Sequence, residues 1–415
     1  MALACGAVPD HSTIATFVSS MKDEILSIFR DILLVCEEQD LLGGTYFALD
    51  GLKLPSNAAK EWSGTFDDLR RKQEKLEEKV KSLLEQHTTV DKEGEAVIAN
   101  MHRAEQEKVQ EQIERLEKQA ARIDAFLKKH EPKRGKRGKE LQSNVTDNES
   151  AKMQTSHGVI QGYNGPAFVD AKPQVIMHAE AFGSGQDYGH VAPMLGGANA
   201  NAQAVGLPEN YFTGKLLSAD SNYHSEENLK TCAQAQLDAY IPAPHFRARD
   251  PRFATQERHK APPDERFTSR DFTYDEENDC YICPHGKVLK LKARRHKSEN
   301  NIYRRYEADE ADCGACPLRE RCLQTAETRR KHLAVWVTKV KETLSQQRIA
   351  KIDTSEARKI YGVRLAIVEP VFGNIRSQKR LDRFTLRGKV KVNIQWMLYC
   401  MVHNIEKIVN YGLAV

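Results

Sequence analysis

The chain has 415 residues, which is enough for about two or three domains that each bury their own core. Its 62 basic and 58 acidic residues leave a formal net charge of +4, so the overall balance does not by itself indicate nucleic-acid binding. No run approaches the roughly 18 consecutive apolar residues of a membrane helix, and no signal peptide is evident. With nine cysteines and no secretion signal, we expect a cytoplasmic protein that has no disulfides and no membrane partner.

The first 140 residues predict helices around one short strand. Apolar residues recur at helical spacing over 13–40, which predicts an amphipathic helix. Tyr46 to Leu49 form a β-prone run, and Asp50-Gly51 is expected to end it. Residues 65–129 carry apolar positions at steps of three and four in a charged background, which predicts a coiled-coil hairpin. The basic run 128–140 is either a solvated linker or a contact to DNA phosphates.

Strands and helices alternate in the middle of the chain. The runs GVIQGYNGPAFVD and PQVIMHAEAF predict a hairpin. Leu216 to Ala219 predict a strand with Asp220 at its end and a helix after it, and LDAYIP predicts a further strand. A cysteine cluster follows, and the chain is expected to be helical from about Glu327 onward. This order predicts an α/β or α+β core with a mixed sheet.

Two aspartates at strand ends and a helical glutamate suit two-metal phosphoryl transfer. Carboxylates can hold two divalent ions about 4 Å apart, one for the nucleophile and one for the leaving oxygen. Asp50 and Asp220 stand at such strand ends. Taken alone, an Asp-Gly pair after a strand is usually just a turn, so the assignment depends on the rest of the chain.

The segment RKIYGVRLAIVEPVFGNIRSQKRLDRF resembles the signature around the catalytic glutamate of insertion-sequence DDE transposases. Tyr361, Arg364, Glu369 and Arg376 match its spaced tyrosine, arginine, glutamate and basic residue. Arg376 replaces the usual lysine, and the step from Arg364 to Glu369 is one residue longer than in some branches of the family.

Two other segments are similar to the aspartate segments of the same family. YFALDGLKLPSNAAK resembles the first, with Leu52 in place of its threonine, and LLSADSNYHSEENLK resembles the second, with Asn222 in place of its glycine. Asp147, in NVTDNESAKM, is a rival for the first aspartate. We prefer Asp50 because it follows an apolar strand, whereas the surroundings of Asp147 indicate a helix cap.

The resemblance implies a ribonuclease H-like mixed sheet flanked by helices. It implies that Asp50, Asp220 and Glu369 hold Mg²⁺ or Mn²⁺, that water activated there cleaves a phosphodiester at a transposon end, and that the freed 3′ hydroxyl attacks target DNA. The expected partner is double-stranded DNA, both transposon ends and target, bound by a homodimer near the bacterial nucleoid. Tyr361, Arg364 and Arg376 would contact phosphates of the scissile strand.

The cysteine cluster predicts a separate metal site. Cys280 and Cys283 form one CxxC pair, and Cys313 and Cys316 form another, which is the spacing of a zinc ribbon. Cys322 is an alternative ligand. The competing interpretation is that all of these are reduced cysteines without a metal.

The segment 376–391 carries the densest positive charge near the glutamate. Its basic residues favour contacts to the DNA backbone. Besides Arg376, the residues expected to make these contacts are Lys379, Arg380, Arg383, Arg387 and Lys389.

These patterns predict a discontinuous catalytic core. It is formed by 46–62, 141–250 and 326–415, with an N-terminal helical segment at 1–45, a hairpin and basic linker at 63–140, and a cysteine-rich insert at 251–325. The family usually has an end-recognising helical region before the segment that begins here at residue 9, so we expect either an N-terminally truncated copy or a start codon that has been assigned late. The alternatives to an active transposase are a silent, DNA-binding remnant or regulator and a zinc-ribbon adaptor.

Overall fold

The computed structural model describes residues 8, 10–90, 99–135, 138–156, 158–256, 266–298, 301–325, 327–336 and 344–413. The chain divides into two compact units. The first comprises Met1–Ile241 and Lys359–Val415, and the second comprises Pro242–Arg358. No helix in the described ranges is long and apolar enough to cross a membrane.

The first unit contains one large sheet and eight helices among its described residues. In chain order its elements are α1 (His11–Ser20), α2 (Ile25–Glu38), β1 (Tyr46–Pro55), β2 (Ser63–Gly64), α3 (Phe66–Val90), α4 (Ala99–Lys129), β3 (Ser143–Asn144), β4 (Ala151–Thr155), β5 (Gly158–Asp170), β6 (Ile176–Ala179), α5 (Val191–Ala204), β7 (Leu216–Ala219), α6 (Glu226–Gln234) and β8 (Asp238–Tyr240). Two more helices follow the second unit: α10 (Ser355–Gly373), which begins at the end of that unit, and α11 (Lys389–Tyr411), with a π-helical turn, Asn374–Gln378, between them.

The large sheet is mixed. Its order is β4-β5-β1-β7-β8, and β6 pairs with the second half of the long strand β5. Strand β1 is antiparallel to β5 and parallel to β7, which is parallel to β8. From Gln161 to Asp170 β5 is continuously buried, which is typical of a strand covered on both faces. The predicted hairpin and the predicted strand Leu216–Ala219 are confirmed.

Strand β1 differs from its prediction in length. It continues through Asp50-Gly51 because these residues pair with Ala167 and Pro166 of β5. A Cβ atom on Gly51 would come within 2.5 Å of the Asn164 Oδ1 atom, so only glycine fits between these strands. Asp50 therefore lies within a strand and not at its end.

The core of the first unit joins the sheet to helices from both ends of the chain. Helix α11 packs against α2 and β6, and α5 packs against β5 and β6. Trp396 of α11 is fully buried, lies against Gly165 and donates a hydrogen bond from Nε1 to the Pro166 carbonyl at 3.2 Å. The helix predicted over 13–40 is divided by a turn at 21–24 into α1 and α2.

Helices α3 and α4 pack side by side through two apolar clusters. One cluster joins Phe66 and Leu69 at the start of α3 to Ile123 and Phe126 at the end of α4, so the helices run antiparallel. The second cluster contains Val80, Ile113 and Leu116. Supercoiling of this pair stays a prediction.

The second unit is built on a five-stranded antiparallel sheet. Its elements are β9 (Thr273–Asp275), β10 (Cys280–Ile282), β11 (Val288–Ser298), β12 (Asn301–Glu307), α7 (Glu310–Gly314), α8 (Arg319–Cys322), β13 (His332–Trp336) and α9 (Leu344–Ile352). The sheet order is β13-β12-β11-β10-β9. Its small core contains Phe272, Leu289, Tyr306, Ala308 and Leu333.

Strand β13 corrects the expectation of uninterrupted helix after Glu327. It pairs with β12 from Tyr303 opposite Trp336 to Glu307 opposite His332. The second unit consequently extends beyond residue 325, the predicted end of the cysteine-rich insert.

Candidate functional site

Asp50 and Asp220 lie side by side on neighbouring parallel strands. The register of β1 and β7 pairs Leu49 with Ala219, and each aspartate is the next residue of its chain segment. Neighbouring strands are about 4.8 Å apart, so this register brings the two carboxylates to the same point of the sheet. The structure thus brings together two of the three residues predicted to be catalytic.

The Asp50 carboxylate is held by an ion pair inside the fold. Arg364 Nη1 lies 2.6 Å from Asp50 Oδ2, and the Gly51 N–H donates to Oδ1 at 2.9 Å. Burial raises the pKa of Asp50, the Arg364 charge and the Gly51 N–H lower it, and the nearby Asp220 raises it, with a net upward shift. The effect of Asp220 on Asp50 agrees with the adjacency that the strand register gives them.

Asp220 begins a 3₁₀ turn, Ser221–Tyr223. Its Oδ1 accepts hydrogen bonds from the Ser221 backbone N–H at 2.5 Å and from the Ser221 hydroxyl at 3.2 Å. Asn222 Nδ2 lies 3.5 Å from Oδ2. The side chain of Asn222, which stands where the family has glycine, therefore approaches the candidate site directly.

Arg364 and Tyr361 lie one turn apart on α10. Arg364 is only 7% exposed, and its guanidinium carbon lies 5.6 Å from the centre of the Tyr361 ring. Burial lowers the pKa of Arg364, but Asp50, Tyr361 and Asp220 together raise it above its usual range. Arg364 Nε is buried without a hydrogen-bond partner among the described residues. Arg364 therefore neutralises Asp50 in this structure and does not face solvent, as a DNA-contacting arginine would.

Tyr223, Asp187 and Asn164 are neighbours of the site that the sequence did not indicate. The buried Tyr223 hydroxyl has no hydrogen-bond partner within the described ranges, and burial followed by Asp187, Asp50 and Asp220 raises its pKa well above the usual value. Asn164 Nδ2 donates to Asp187 Oδ1 at 2.5 Å. Asp187 stands in a segment of small residues without a motif, so only long-range folding places it here.

Glu369 does not join the two aspartates. It is exposed on α10, and within the described residues no group of three His, Cys, Asp or Glu side chains is arranged to hold a metal ion. Five residues separate it from Arg364, which is about 140° of rotation around an α-helix. Val368, at the position four residues after Arg364, is fully buried instead. The longer spacing of the motif thus directs Glu369 away from the face that carries Arg364.

Asp50 and Asp220 fit a hard divalent cation as two of its ligands. Their carboxylate oxygens are the donors that Mg²⁺ and Mn²⁺ prefer. The unpartnered Tyr223 hydroxyl beside them is a polar group that a bound ion with its water molecules would satisfy. The site as it stands offers two carboxylates and one neutralising guanidinium.

Asp147, the rival for the first aspartate, is a structural residue. It is buried, and both of its carboxylate oxygens accept hydrogen bonds from the Tyr163 hydroxyl at 2.9 Å. The Gly388 N–H, just before α11, also donates to Oδ2 at 3.1 Å. These bonds anchor the start of α11, so the predicted helix-cap interpretation is wrong in detail but right in assigning a structural role.

Most of the predicted DNA-contacting residues in 376–391 are engaged inside the protein. Lys379 is bound to Glu406 at 2.5 Å with only 8% of its side chain exposed, and Lys389 is bound to Glu180 at 2.9 Å. Arg383 donates to the Ser56 carbonyl at 3.2 Å, and Arg387 donates to the Asn57 carbonyl at 2.5 Å, although both side chains remain exposed. These contacts hold the segment against the end of β1.

Arg376 and Arg380 are different. Both are exposed, and neither makes a hydrogen bond or ion pair to another residue of the described ranges. Of the predicted basic residues, these two are therefore the most available to an external anion.

The cysteines converge in a different combination from the predicted one. Cys283, Cys313, Cys316 and Cys322 line one cavity of about 30 Å³ in the second unit. Cys280 does not line it, because successive residues of β10 point to opposite faces of the sheet. Tyr281 and Cys283 face the small core, whereas Cys280 lies near Asp275 and Asp279. Cys322 thus takes the place that the CxxC pattern had given to Cys280.

Comparison with known proteins adds a family match. Residues 282–409 match the family described as transposase DDE domain, which is under a third of the chain. The matched range includes Arg364 and Glu369 but neither of the two aspartates. No curated protein and no solved structure matches the chain significantly. Residues 282–409 are therefore similar to a transposase DDE domain, and this supports the assignment of the chain as a DDE transposase.

Proposed function

We propose that this protein cleaves DNA at transposon ends and transfers the freed strands to target DNA by metal-assisted phosphoryl transfer. The observation that carries the proposal is the pair Asp50 and Asp220 at one point of a mixed sheet. Strands β6, β5 and β1 are antiparallel, and β7 and β8 continue the sheet in parallel with β1. This order supports a ribonuclease H-like core, in which a transposase DDE domain would act.

In this proposal Asp50 and Asp220 hold Mg²⁺ or Mn²⁺. The cation would polarise the scissile phosphate and lower the pKa of a bound water. Tyr223 and the Asn164–Asp187 pair border the carboxylates. Glu369 is the third ligand in this proposal, and reaching the aspartates requires α10 to change its orientation.

Arg364 acts as a substitute cation until the metal ion arrives. Its guanidinium occupies Asp50 Oδ2 at 2.6 Å, so a metal ion must compete with it for that oxygen. Once displaced, the planar guanidinium suits a phosphate group, with Tyr361 stacked beside it. The ion pair therefore opposes the rise in the pKa of Asp50 that its burial causes, although the net shift is upward.

Two surfaces of the first unit suit the DNA backbone. One is the exposed pair Arg376 and Arg380. The other is a groove of about 820 Å³ whose lining includes Lys53, Lys133, Lys139 and Lys152. Lys53 is three residues beyond Asp50 on β1, so its side chain points to the opposite face of the sheet from that of Asp50. The groove supports the DNA-contact interpretation of the basic run 128–140, and a homodimer would supply two such sites for the two transposon ends.

The decisive experiment is cleavage of a labelled duplex that carries the inverted repeats flanking the gene. Purified full-length protein is assayed with Mg²⁺ or Mn²⁺ beside Glu369→Gln and Glu356→Gln. Glu356 is an exposed glutamate on the same helix and serves as the matched control. We expect nicking at the repeat ends by the wild type and the control, and loss of nicking in Glu369→Gln with DNA binding retained.

A second candidate function is a DNA-binding remnant or regulator without catalysis. The separation of Glu369 from the two aspartates favours it. In this case folded, metal-supplemented protein binds the duplex but does not nick it, and Glu369→Gln changes nothing. If the wild type and Glu369→Gln nick the duplex equally, the protein is an enzyme but Glu369 is not one of its metal ligands.

A further inference from the structure

Four thiols from three separate chain segments surround one small cavity in the second unit. Cys283 follows β10, Cys313 and Cys316 lie in and after α7, and Cys322 ends α8. All four are free thiols, and the cavity of about 30 Å³ between them has the volume of roughly one water molecule. A cavity of this size fits a single ion. In this structure the four thiols are not arranged as a metal site, since no group of three or more His, Cys, Asp or Glu side chains among the described residues is placed to hold an ion, so binding would have to draw the sulfur atoms inward.

The backbone around the thiols is arranged to donate to sulfur. The Lys287 N–H points to the Cys283 Sγ atom at 3.3 Å, and the Lys331 N–H points to the Cys313 Sγ atom at 3.4 Å. The first of these contacts is made by a tight turn in which Gly286 N–H donates to the Cys283 carbonyl at 2.7 Å, with Gly286 at φ +76°. N–H groups aimed at sulfur stabilise a thiolate more than a neutral thiol.

Positive side chains line the same cavity. Lys287, Arg319 and Lys331 are part of its wall, and only Asp312 opposes them there, paired with Lys287 at 3.0 Å. Arg319 donates to the Cys313 carbonyl at 3.0 Å, and Lys331 Nζ donates to the Cys322 carbonyl at 3.1 Å. Two cations thus remain to balance the double negative charge that four thiolates and one divalent ion would carry.

We propose that Cys283, Cys313, Cys316 and Cys322 bind one Zn²⁺ ion in a closed tetrahedral site. Four soft sulfur ligands select zinc over hard cations, and a site without an open position is structural and not catalytic. The ion would fasten the short helices α7 and α8, of five and four residues, to the turn after β10. Helices of that length are not stable by themselves, so a crosslink through the metal ion would provide stability that their packing does not.

The test compares two serine variants of the full-length protein. Cys322→Ser removes a proposed ligand, and Cys280→Ser removes the other member of the first CxxC pair, which faces away from the cavity. Metal content is measured after purification under reducing conditions from zinc-replete cells. We expect one equivalent of zinc in the wild type and in Cys280→Ser, and its loss in Cys322→Ser.

A spectroscopic measurement covers the case in which Cys322→Ser does not fold. The zinc is exchanged for Co²⁺ in the wild type, in Cys280→Ser and in Cys322→His. The sulfur-to-cobalt charge-transfer absorption is expected to be equal in the wild type and Cys280→Ser. In Cys322→His it is expected to be weaker, and the visible bands are expected to shift. The proposal is overturned by a reduced wild-type protein that takes up neither metal, by iron in place of zinc, by disulfides among the four residues, or by equal metal loss in Cys280→Ser.

Discussion

In the first unit the buried carboxylates already have partners within the fold, whereas in the second unit four thiols face a cavity. Asp50 is paired with Arg364, and Asp147 accepts hydrogen bonds from Tyr163 and Gly388. The thiols of the second unit receive only two backbone N–H contacts. The first unit therefore satisfies these carboxylates within the fold, whereas the proposed zinc ion would satisfy the thiols of the second.

The cores of the two units agree with this contrast. The first has a sheet buried on both faces and a fully buried Trp396. The second relies on a core of five buried residues and two very short helices. A small core provides little free energy of folding, so a structural ion has more to contribute there.

Removal of the proposed zinc ion has the largest expected effect. Chelation of the reduced protein should unfold the second unit, because a structural zinc ion contributes on the order of 10 kcal/mol to a small domain. Hydrogen exchange should then show loss of amide protection in β10 to β12 and retained protection in β1 and β5. Equal loss of amide protection in both units would contradict the proposed difference between them.

Asp220→Asn is expected to abolish most cleavage. Loss of one metal-holding carboxylate should reduce nicking about 1000-fold, which corresponds to roughly 4 kcal/mol of transition-state stabilisation. The free energy of unfolding should stay equal or rise, because Asp220 raises the pKa of Asp50 by repulsion. Asp31→Asn, an exposed position on α2, is the control, and wild-type nicking by Asp220→Asn would remove Asp220 from the site.

Arg364→Met tests whether the ion pair stabilises the first unit without metal. Leaving Asp50 unpaired should lower the free energy of unfolding by about 3 kcal/mol, measured by urea denaturation. The double variant with Asp50→Asn should recover most of this loss, because no buried charge then lacks a partner. If the unfolding free energies lost in the two single variants add in the double variant, Arg364 and Asp50 do not interact.

The buried His403 gives the first unit a pH dependence. Burial lowers its pKa to about 4, from the usual 6.5, against the smaller upward effect of the contact to the Gln174 carbonyl. Because its pKa in the folded state is depressed, the stabilisation is present above pH 6.5 and is lost as the pH falls from 6.5 to 4, by about 3 kcal/mol in all. His403→Gln should reduce the slope of the unfolding free energy in this window but not remove it, because burial also lowers the pKa of His178 in the same unit to about 4. An unchanged slope would assign the pH dependence to other groups.

The smallest expected effect is a difference between variants of two neighbouring basic residues, Arg380 and Lys379. Arg380→Gln should leave the free energy of unfolding within about 0.5 kcal/mol and should lower the salt dependence of DNA binding by about one phosphate contact. Lys379→Gln should instead destabilise the protein by about 1 kcal/mol, because Lys379 is bound to Glu406 and Asn374. The reverse pattern would show that the engaged lysine, and not the exposed arginine, contacts DNA.

Local patterns predicted the parts of the fold that depend on neighbours in the chain. The strand Leu216–Ala219 and the hairpin of β5 and β6 follow from runs of β-prone residues bounded by turn residues. The continuation of β1 through Asp50-Gly51 did not, because its hydrogen-bond partners on β5 are more than 100 residues away in sequence.

The candidate site shows the same division. The sequence by itself predicted a strand before each of Asp50 and Asp220, a cluster of cysteines and a helix for the glutamate motif. Only the tertiary structure decided that the aspartates are adjacent, that Arg364 neutralises one of them, that Glu369 points elsewhere and that Cys322 replaces Cys280. The physical reason is that periodicity in a sequence reports which face of an element is buried, whereas strand register and helix rotation decide which side chains meet.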